Sequence, residues 1–314
     1  MKRRDLFGLA AASTLALAAG TASAADWPDG PIQVIVPFGA GGDTDFNARL
    51  LSKYLEPILG SSMPVVNITG AGGTIAARQV MDADPDGQTV LFFNTSFLAS
   101  TASGMADFSF EDFDMVGIAA EEPGAVISVA GDAPWASMQD LIDASKVDPG
   151  SIDLTANTGA TTYLIGSQLN AAGAEFNFVD VGGASGRLTA ILGGNVDVSQ
   201  NPIGQVLPYA ENGELKILAT MAAERTDVLP DVPTLRELGY DIELQLEYFY
   251  LFPKGVDPEV IDSFAAAIQQ VVEGDAAYAD EIYKAYYQKP HWLDRDAANA
   301  RLRDVLSVME KVEF

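Results

Sequence analysis

The chain has 314 residues, with 44 acidic against 18 basic side chains and a formal net charge of −26. That excess of acid excludes general binding to nucleic acid or to anionic membranes, whose phosphates would repel it. There is no cysteine, so disulfides, thiolate metal sites and a cysteine-linked lipid anchor are excluded as well.

Residues 1–24 read as a targeting segment. Lys2, Arg3 and Arg4 form a basic start, 6–19 is an apolar stretch, and Ala22-Ser23-Ala24 offers a small-residue cleavage site. The apolar run is too short to span a bilayer, so an exported, soluble mature chain is expected. Arg3-Arg4-Asp5-Leu6-Phe7 suits the twin-arginine route, with an ordinary secretory signal as the alternative. The remaining length suffices for two domains, and a hydrophobic content of 48% can fill both cores.

The apolar run 32–36 reads as a buried strand. Pro37-Phe38-Gly39-Ala40-Gly41-Gly42 then makes a glycine turn, and Asp43-Thr44-Asp45 starts a helix over 46–59. A strand, a glycine turn and a helix N-terminus gather unpaired backbone N–H groups around one point. That geometry holds an anion without any lysine or arginine. Neither G-x-G-x-x-G nor G-K-[ST] is present, so this is neither a dinucleotide fingerprint nor a P-loop. A strand–helix corner without a ligand is the alternative.

Further on, a strand at 65–68 precedes a helix at 74–82. The strand 89–94 ends in Asn94-Thr95-Ser96, short polar side chains that can donate to an oxygen, hold a water or cap a helix. A short helix follows at 110–113. The apolar segment 116–130, with Glu121-Glu122-Pro123-Gly124 inside it, reads as a crossing between domains. Strands at 151–155 and 176–181 precede helices at 163–172 and 186–192. The strand 196–199 leads to Asn201, expected to face the cleft, and to a stretch 205–210 that Pro208 interrupts. A strand at 217–220 closes the series, and the aromatic strand 243–253 is the second crossing. Helices are expected at 259–273, 278–288 and 297–311.

Alternating strands and helices predict an α/β fold with mostly parallel sheets and a ligand site at the strand carboxyl ends. Two crossings predict an inserted domain, 126–247, within an outer domain made of 25–125 and 248–314, with hinge closure between them.

Several motifs add a resemblance. They are the first glycine loop, Asn67-Ile68-Thr69-Gly70-Ala71-Gly72-Gly73, Asp84-Pro85-Asp86-Gly87-Gln88-Thr89, Leu192-Gly193-Gly194-Asn195-Val196-Asp197 and Leu229-Pro230-Asp231-Val232-Pro233-Thr234-Leu235 with Arg236-Glu237-Leu238-Gly239. In this order and spacing the chain resembles the substrate-binding proteins of tripartite tricarboxylate transporters, the Bug-type periplasmic receptors. The resemblance covers nearly the whole mature chain. It implies the type II periplasmic-binding-protein fold, with a ligand cleft between two domains.

The resemblance also implies a first loop that holds a ligand carboxylate through main-chain N–H groups and ordered waters. Those roles carry over to Gly39, Gly41, Gly42 and Thr44, with Phe38 and Asp45 beside them. Asp45 itself suits helix capping and pairing with Arg49. Where the family shows G-x-G-[ST]-[ST], Asn157 replaces the first glycine and Ala160 the usual serine, while Gly159 and Thr161 match, with Thr162 following. Where it shows V-P-Y-x-G, the proline and the aromatic are lost at Asp180 and Val181, yet Gly183 and Ser185 still open a helix. Arg187, in its first turn, is read as a surface residue, with reach to a distal carboxylate as the alternative. The expected binding set therefore joins these residues with Asn94, Ser96 and Asn201.

The implied ligand is a small di- or tricarboxylate or an aromatic acid, and the implied partners are the integral-membrane permease subunits. A monomer without cofactor, metal, nucleic acid or membrane insertion is expected. A sensory receptor of the same fold is the alternative, and an enzyme on this scaffold is the alternative of another class. The single histidine, in Pro290-His291-Trp292, reads as a surface or packing residue, which leaves no histidine- or cysteine-dependent catalytic set. Asp43 and Asp45 suggest Mg²⁺ at first, but the flanking glycines expose N–H groups, which suit anions.

Overall fold

The computed structural model describes residues 27–122 and 124–312, so the targeting segment read at 1–24 lies outside the described residues. In chain order come β1 (Gln33–Val36), α1 (Asp43–Leu59), β2 (Val65–Asn67), α2 (Thr74–Met81), β3 (Thr89–Asn94), α3 (Ser96–Ala102) and β4 (Asp114–Glu122). There follow β5 (Ala125–Ala130), α4 (Met138–Val147), β6 (Asp153–Thr155), α5 (Thr161–Ala171), β7 (Asn177–Val179), α6 (Ala184–Leu192), β8 (Val198–Pro202), α7 (Ile203–Glu211) and β9 (Leu215–Thr220). The chain ends with β10 (Leu246–Phe252), α8 (Pro258–Gly274), α9 (Ala276–Tyr286), β11 (Lys289–Leu293) and α10 (Arg295–Met309).

These strands form two sheets, a six-stranded one in the order β11-β4-β10-β3-β1-β2 and a five-stranded one in the order β7-β6-β8-β5-β9. The fold is the two-domain type II periplasmic-binding-protein architecture. Each sheet is mixed. The parallel arrangement expected from the sequence holds for β2-β1-β3 and β7-β6-β8. The long strands next to the crossings run antiparallel: β10 against β3 and β4, and β5 against β8 and β9.

The larger sheet is buried on both faces, and period-two alternation decides which side chain goes where. Val34, Phe92, Tyr248 and Tyr250 pack with Phe264 of α8 on one face. Ile35, Phe93, Phe249 and Leu251 pack with Phe97 of α3 and Leu302 of α10 on the other. Every residue of β10 is buried, as its place between two strands requires.

The crossings lie side by side. Only Pro123 and Gly124 separate β4 from β5. Gly124 has φ +134°, and a Cβ there would meet the Ala222 backbone nitrogen at 2.6 Å, just beyond the end of β9. A glycine is required on both counts.

Some elements differ from the sequence reading. Residues 110–113 make only a 3₁₀ turn, Phe110–Asp112, capped by Ser109. Helix α4 was not expected; its cap Ser137 accepts from the Asp140 N–H, and its apolar face is Met138, Leu141 and Ile142. Strand β11 was not expected either, because proline suits only an edge, and an edge is where it lies, paired to β4. Pro208 sits inside α7 rather than ending it, forfeiting one intrahelical hydrogen bond. Among the described residues, no helix is long and apolar enough to cross a membrane.

Candidate functional site

Three helices begin at one place between the sheets. They are α1, after β1, α5, after β6, and α6, after β7. Their N-cap residues are Gly42, Ala160 and Gly183, and none has a side-chain cap hydrogen bond. The first N–H groups of a helix have no partner within it. All three helices therefore present free donors and the positive end of their dipoles. Phe38, Thr44, Ala160, Thr161, Gly183 and Ala184, at or beside these ends, line a shared cavity. Measured at the centre of a water-sized sphere, its volume is about 30 Å³.

The rest of the lining is polar on one side and apolar on the other. Asn94 donates from Nδ2 to Thr44 Oγ1 at 3.0 Å and accepts from the Ser96 N–H at 2.9 Å. Asn157 has its N–H on Thr162 Oγ1 at 3.0 Å and its Nδ2 on Asp180 at 2.7 Å. Gln200 Nε2 donates to the Thr155 and Thr162 carbonyls, each at 2.9 Å, which fixes its amide and turns Oε1 away from them. Ala125, Met221, Leu244 and Leu246, all near the crossings, supply the apolar side.

Charge enters from both sheets. Arg187 Nε donates to the Gln200 carbonyl at 2.6 Å and its NH1 to Asn157 Oδ1 at 2.9 Å. Burial pulls its guanidinium below the ordinary value, while Asp43 and Glu122 push back. Opposite, Asp43 is 6% exposed and takes the Tyr248 hydroxyl on Oδ2 at 2.7 Å. The same hydroxyl lies 3.2 Å from Glu122 Oε2. Burial, and then the charge of Asp43, push the Glu122 carboxyl well up. One phenol proton serves one carboxylate, so a protonated Glu122 can donate to the Tyr248 oxygen.

Side chains also join the two sides of the cleft directly. Ser96 Oγ and Thr161 Oγ1 are 3.1 Å apart, and Ser100 Oγ donates to the Gly159 carbonyl at 2.6 Å. Gln205 donates to the Gly41 carbonyl at 3.2 Å and to the Tyr286 hydroxyl at 3.3 Å.

Residues 47–289 match the family described as tripartite tricarboxylate transporter family receptor. The chain belongs to this family. Protein BugT of Bordetella pertussis (strain Tohama I) is 31% identical over 272 residues, covering 82% of this chain and 81% of BugT. The solved periplasmic binding protein BugD is 27% identical with a TM-score of 0.83, over 91% of this chain and 97% of BugD. A solved TctC solute-binding protein from Polaromonas is 26% identical with a TM-score of 0.66, over 90% of this chain and 98% of that one.

In this receptor the structure brings Phe38, Thr44, Asn94, Ser96, Asn157, Thr161, Thr162 and Gly183 to the cavity wall. Gly39, Gly41, Gly42, Asp45, Gly159, Ser185 and Asn201 are not part of that wall. The Gly41 N–H is already taken by Asp45 Oδ2 at 2.9 Å. Burial pushes the Asp45 carboxyl up, but Arg49, the Gly41 N–H and Asn67 outweigh it and hold the group below its ordinary value. Gly39 and Ser185 share an outer groove at the lips. Asn201 is the last strand residue but one; its Nδ2 donates to the Ala184 carbonyl at 2.8 Å, bracing the start of α6.

Sequence reasoning missed Asp43 and Gln200 as parts of the wall and kept Arg187 there only as the alternative. The surface reading of Arg187 is corrected: α6 turns its first-turn side chain under β8, where Gln200 holds it. His291 is half-buried, with Nε2 3.3 Å from Glu121 Oε2 beside the buried Glu247, which Arg301 already engages at 2.6 Å.

Proposed function

We infer that this protein is an exported, periplasmic solute receptor that binds a small carboxylate and hands it to the permease of a tripartite tricarboxylate transporter. One observation carries the reading. Three uncapped helix N-termini, drawn from both sheets, open onto one cavity together with a half-buried arginine. Free N–H groups, aligned dipoles and a guanidinium all favour a carboxylate over a neutral or cationic ligand.

Because the donors come from both sides, a bound acid bridges them and favours the closed form by its differential affinity. The moving unit would be 126–247, hinged at the paired crossings beside Gly124. The receptor would act as a monomer, with the closed form recognised by the permease. The family match and the likeness to BugD support transport rather than catalysis.

A thermal-shift screen of small organic acids against neutral sugars tests this. Saturation at 100 times Kd should add about 2.7 kcal/mol. Carboxylates should raise the melting temperature and sugars should not. A screen in which only sugars or metal cations stabilise the protein would overturn the reading.

A further inference from the structure

A second group of ionisable side chains lies away from the candidate site, on the strands that lead to the crossings. Glu121 of β4 pairs in register with Glu247 of β10, and β11, which carries His291, lies on the other side of β4. The neighbouring Glu122 and Tyr248 meet on the Asp43 side of the sheet. Alternation therefore sends Glu121 and Glu247 to the opposite face, where Arg301 of α10 reaches Glu247. None of Glu121, Glu247 and His291 lines the cavity between the sheets.

One ligand atom from each of these three residues lies within 4.8 Å of the other two. Two of the three keep unmet polar atoms among the described residues. Glu247 is 2% exposed; Arg301 takes its Oε1 at 2.6 Å, and its Oε2 is buried without a partner. Burial pushes the Glu247 carboxyl up although Arg301 pulls it down, so one guanidinium does not offset the loss of water. His291 Nε2 is also buried, and although it is 3.3 Å from Glu121 Oε2 it makes no hydrogen bond there.

That separation suits a shared metal ion. Two ligands held at about 2.0–2.1 Å by a tetrahedral zinc stand about 3.3 Å apart. One imidazole and two carboxylates form a zinc-type donor set, whereas Ca²⁺ and Mg²⁺ take oxygen ligands. The net charge of −26 favours the approach of a cation. Glu121 and His291 also line a second cavity of about 540 Å³, measured at the centre of a water-sized sphere, which gives an ion a way in and room for a water beside it.

We propose that Glu121, Glu247 and His291 form a binding site for a divalent first-row transition-metal ion of the zinc type. Each residue gives one atom, and a water from the cavity completes four-coordination. Arg301 holds the Glu247 carboxylate in place from behind. The ion ties three adjacent strands together where β4 leaves for the smaller sheet and β10 returns from it. This site is independent of what the cleft holds.

The test is calorimetry with Zn²⁺ on the mature chain, free of any affinity tag and with Mg²⁺ in excess to occupy exposed carboxylates. One ion per chain should bind, and Zn²⁺ should raise the melting temperature. His291→Gln and Glu121→Gln should each weaken binding at least about 10-fold, the low end of what losing even an outer-shell partner costs. Melting curves without zinc check that both variants fold. Cobalt(II) in place of zinc reports the coordination directly: the wild type should show the strong visible absorption of a four-coordinate ion. Absence of zinc binding in the wild type overturns the proposal. Binding that both folded variants keep in full also overturns it and marks the uptake as adventitious. A cobalt complex with only the weak absorption of a six-coordinate ion overturns it too, whether or not the variants fold.

Discussion

Gly204 is where one added methyl group tests closure. It is the second residue of α7, between two strands of the five-stranded sheet, and faces, across a seam, α9, which leads into β11 of the six-stranded sheet. A Cβ built there would stand 2.6 Å from the Ala285 carbonyl oxygen and 2.6 Å from the Tyr286 Cα. Carbon atoms pack best at about 3.5–4.0 Å, so α9 must retreat by about 1 Å. The atoms in the way are backbone, so no side-chain rotation relieves the clash. Overpacking of this kind costs about 1–3 kcal/mol, and only while the seam is shut. Apart from the seam, alanine favours a helix over glycine by about 1 kcal/mol, so the opened chain should not be weaker. The closed-to-open ratio of Gly204→Ala should therefore fall about 5- to 150-fold. Calorimetry with any carboxylate that binds the wild type should show weaker affinity. Solution scattering of the saturated variant should give a larger radius of gyration. Wild-type affinity together with wild-type scattering would refute the idea that this seam opens and closes around the ligand.

Arg187→Met keeps the packed stem and removes the guanidinium; carboxylate affinity should drop about 10- to 150-fold, and an unchanged calorimetric Kd would take Arg187 out of the site. Glu122 has a raised folded-state pKa, so the folded form holds a proton that the unfolded form has released, and stability falls as pH rises from the unfolded value through the folded one. Glu122→Gln removes that slope, so its melting temperature relative to wild type should climb from pH 5 to pH 8 on the order expected for such linkage, and a constant difference would contradict a protonated Glu122. Asp45 is the opposite case, held below its ordinary value, so its stabilisation is present above the unfolded pKa and lost as pH falls through the folded one. Asp45→Asn should cost about 1–3 kcal/mol in denaturant unfolding at neutral pH, with the gap closing in strong acid; a gap that does not change with pH would show that the charge of Asp45 is not what stabilises the loop.

The parts of this molecule that were legible in the sequence are local. The run 32–36, the glycines after it and the acids at 43–45 announce a strand, a turn and a helix start within one short window, and β1 and α1 follow. The boundaries of β3 at Thr89–Asn94 were readable because a single apolar run ends in a polar triplet. What could not be read is which polar group a neighbour claims first. The Gly41 N–H looked free for a ligand, but Asp45 reaches back from the next turn and takes it. Period-two alternation shows that Gln200 and Asn201 point to opposite faces without showing which face is the cavity. Arg187 depends on how α6 docks on β8, and that is a tertiary fact with no local signature.

The cleft is joined by hydrogen bonds that the protein makes with itself, from Ser96 to Thr161 and from Ser100 to Gly159. Neither of them requires cargo. Such a latch sets the contrast of the device. Every increment of closure supplied by the protein alone raises apparent affinity, because more molecules already have the binding-competent shape. The same increment makes an unloaded molecule resemble a loaded one, so any partner that reads shape meets more false positives. These hydroxyl contacts are thus a compromise between sensitivity and background, and Ser100, which is not part of the cavity wall, is where that compromise can be adjusted without redrawing the helix ends that face the cavity.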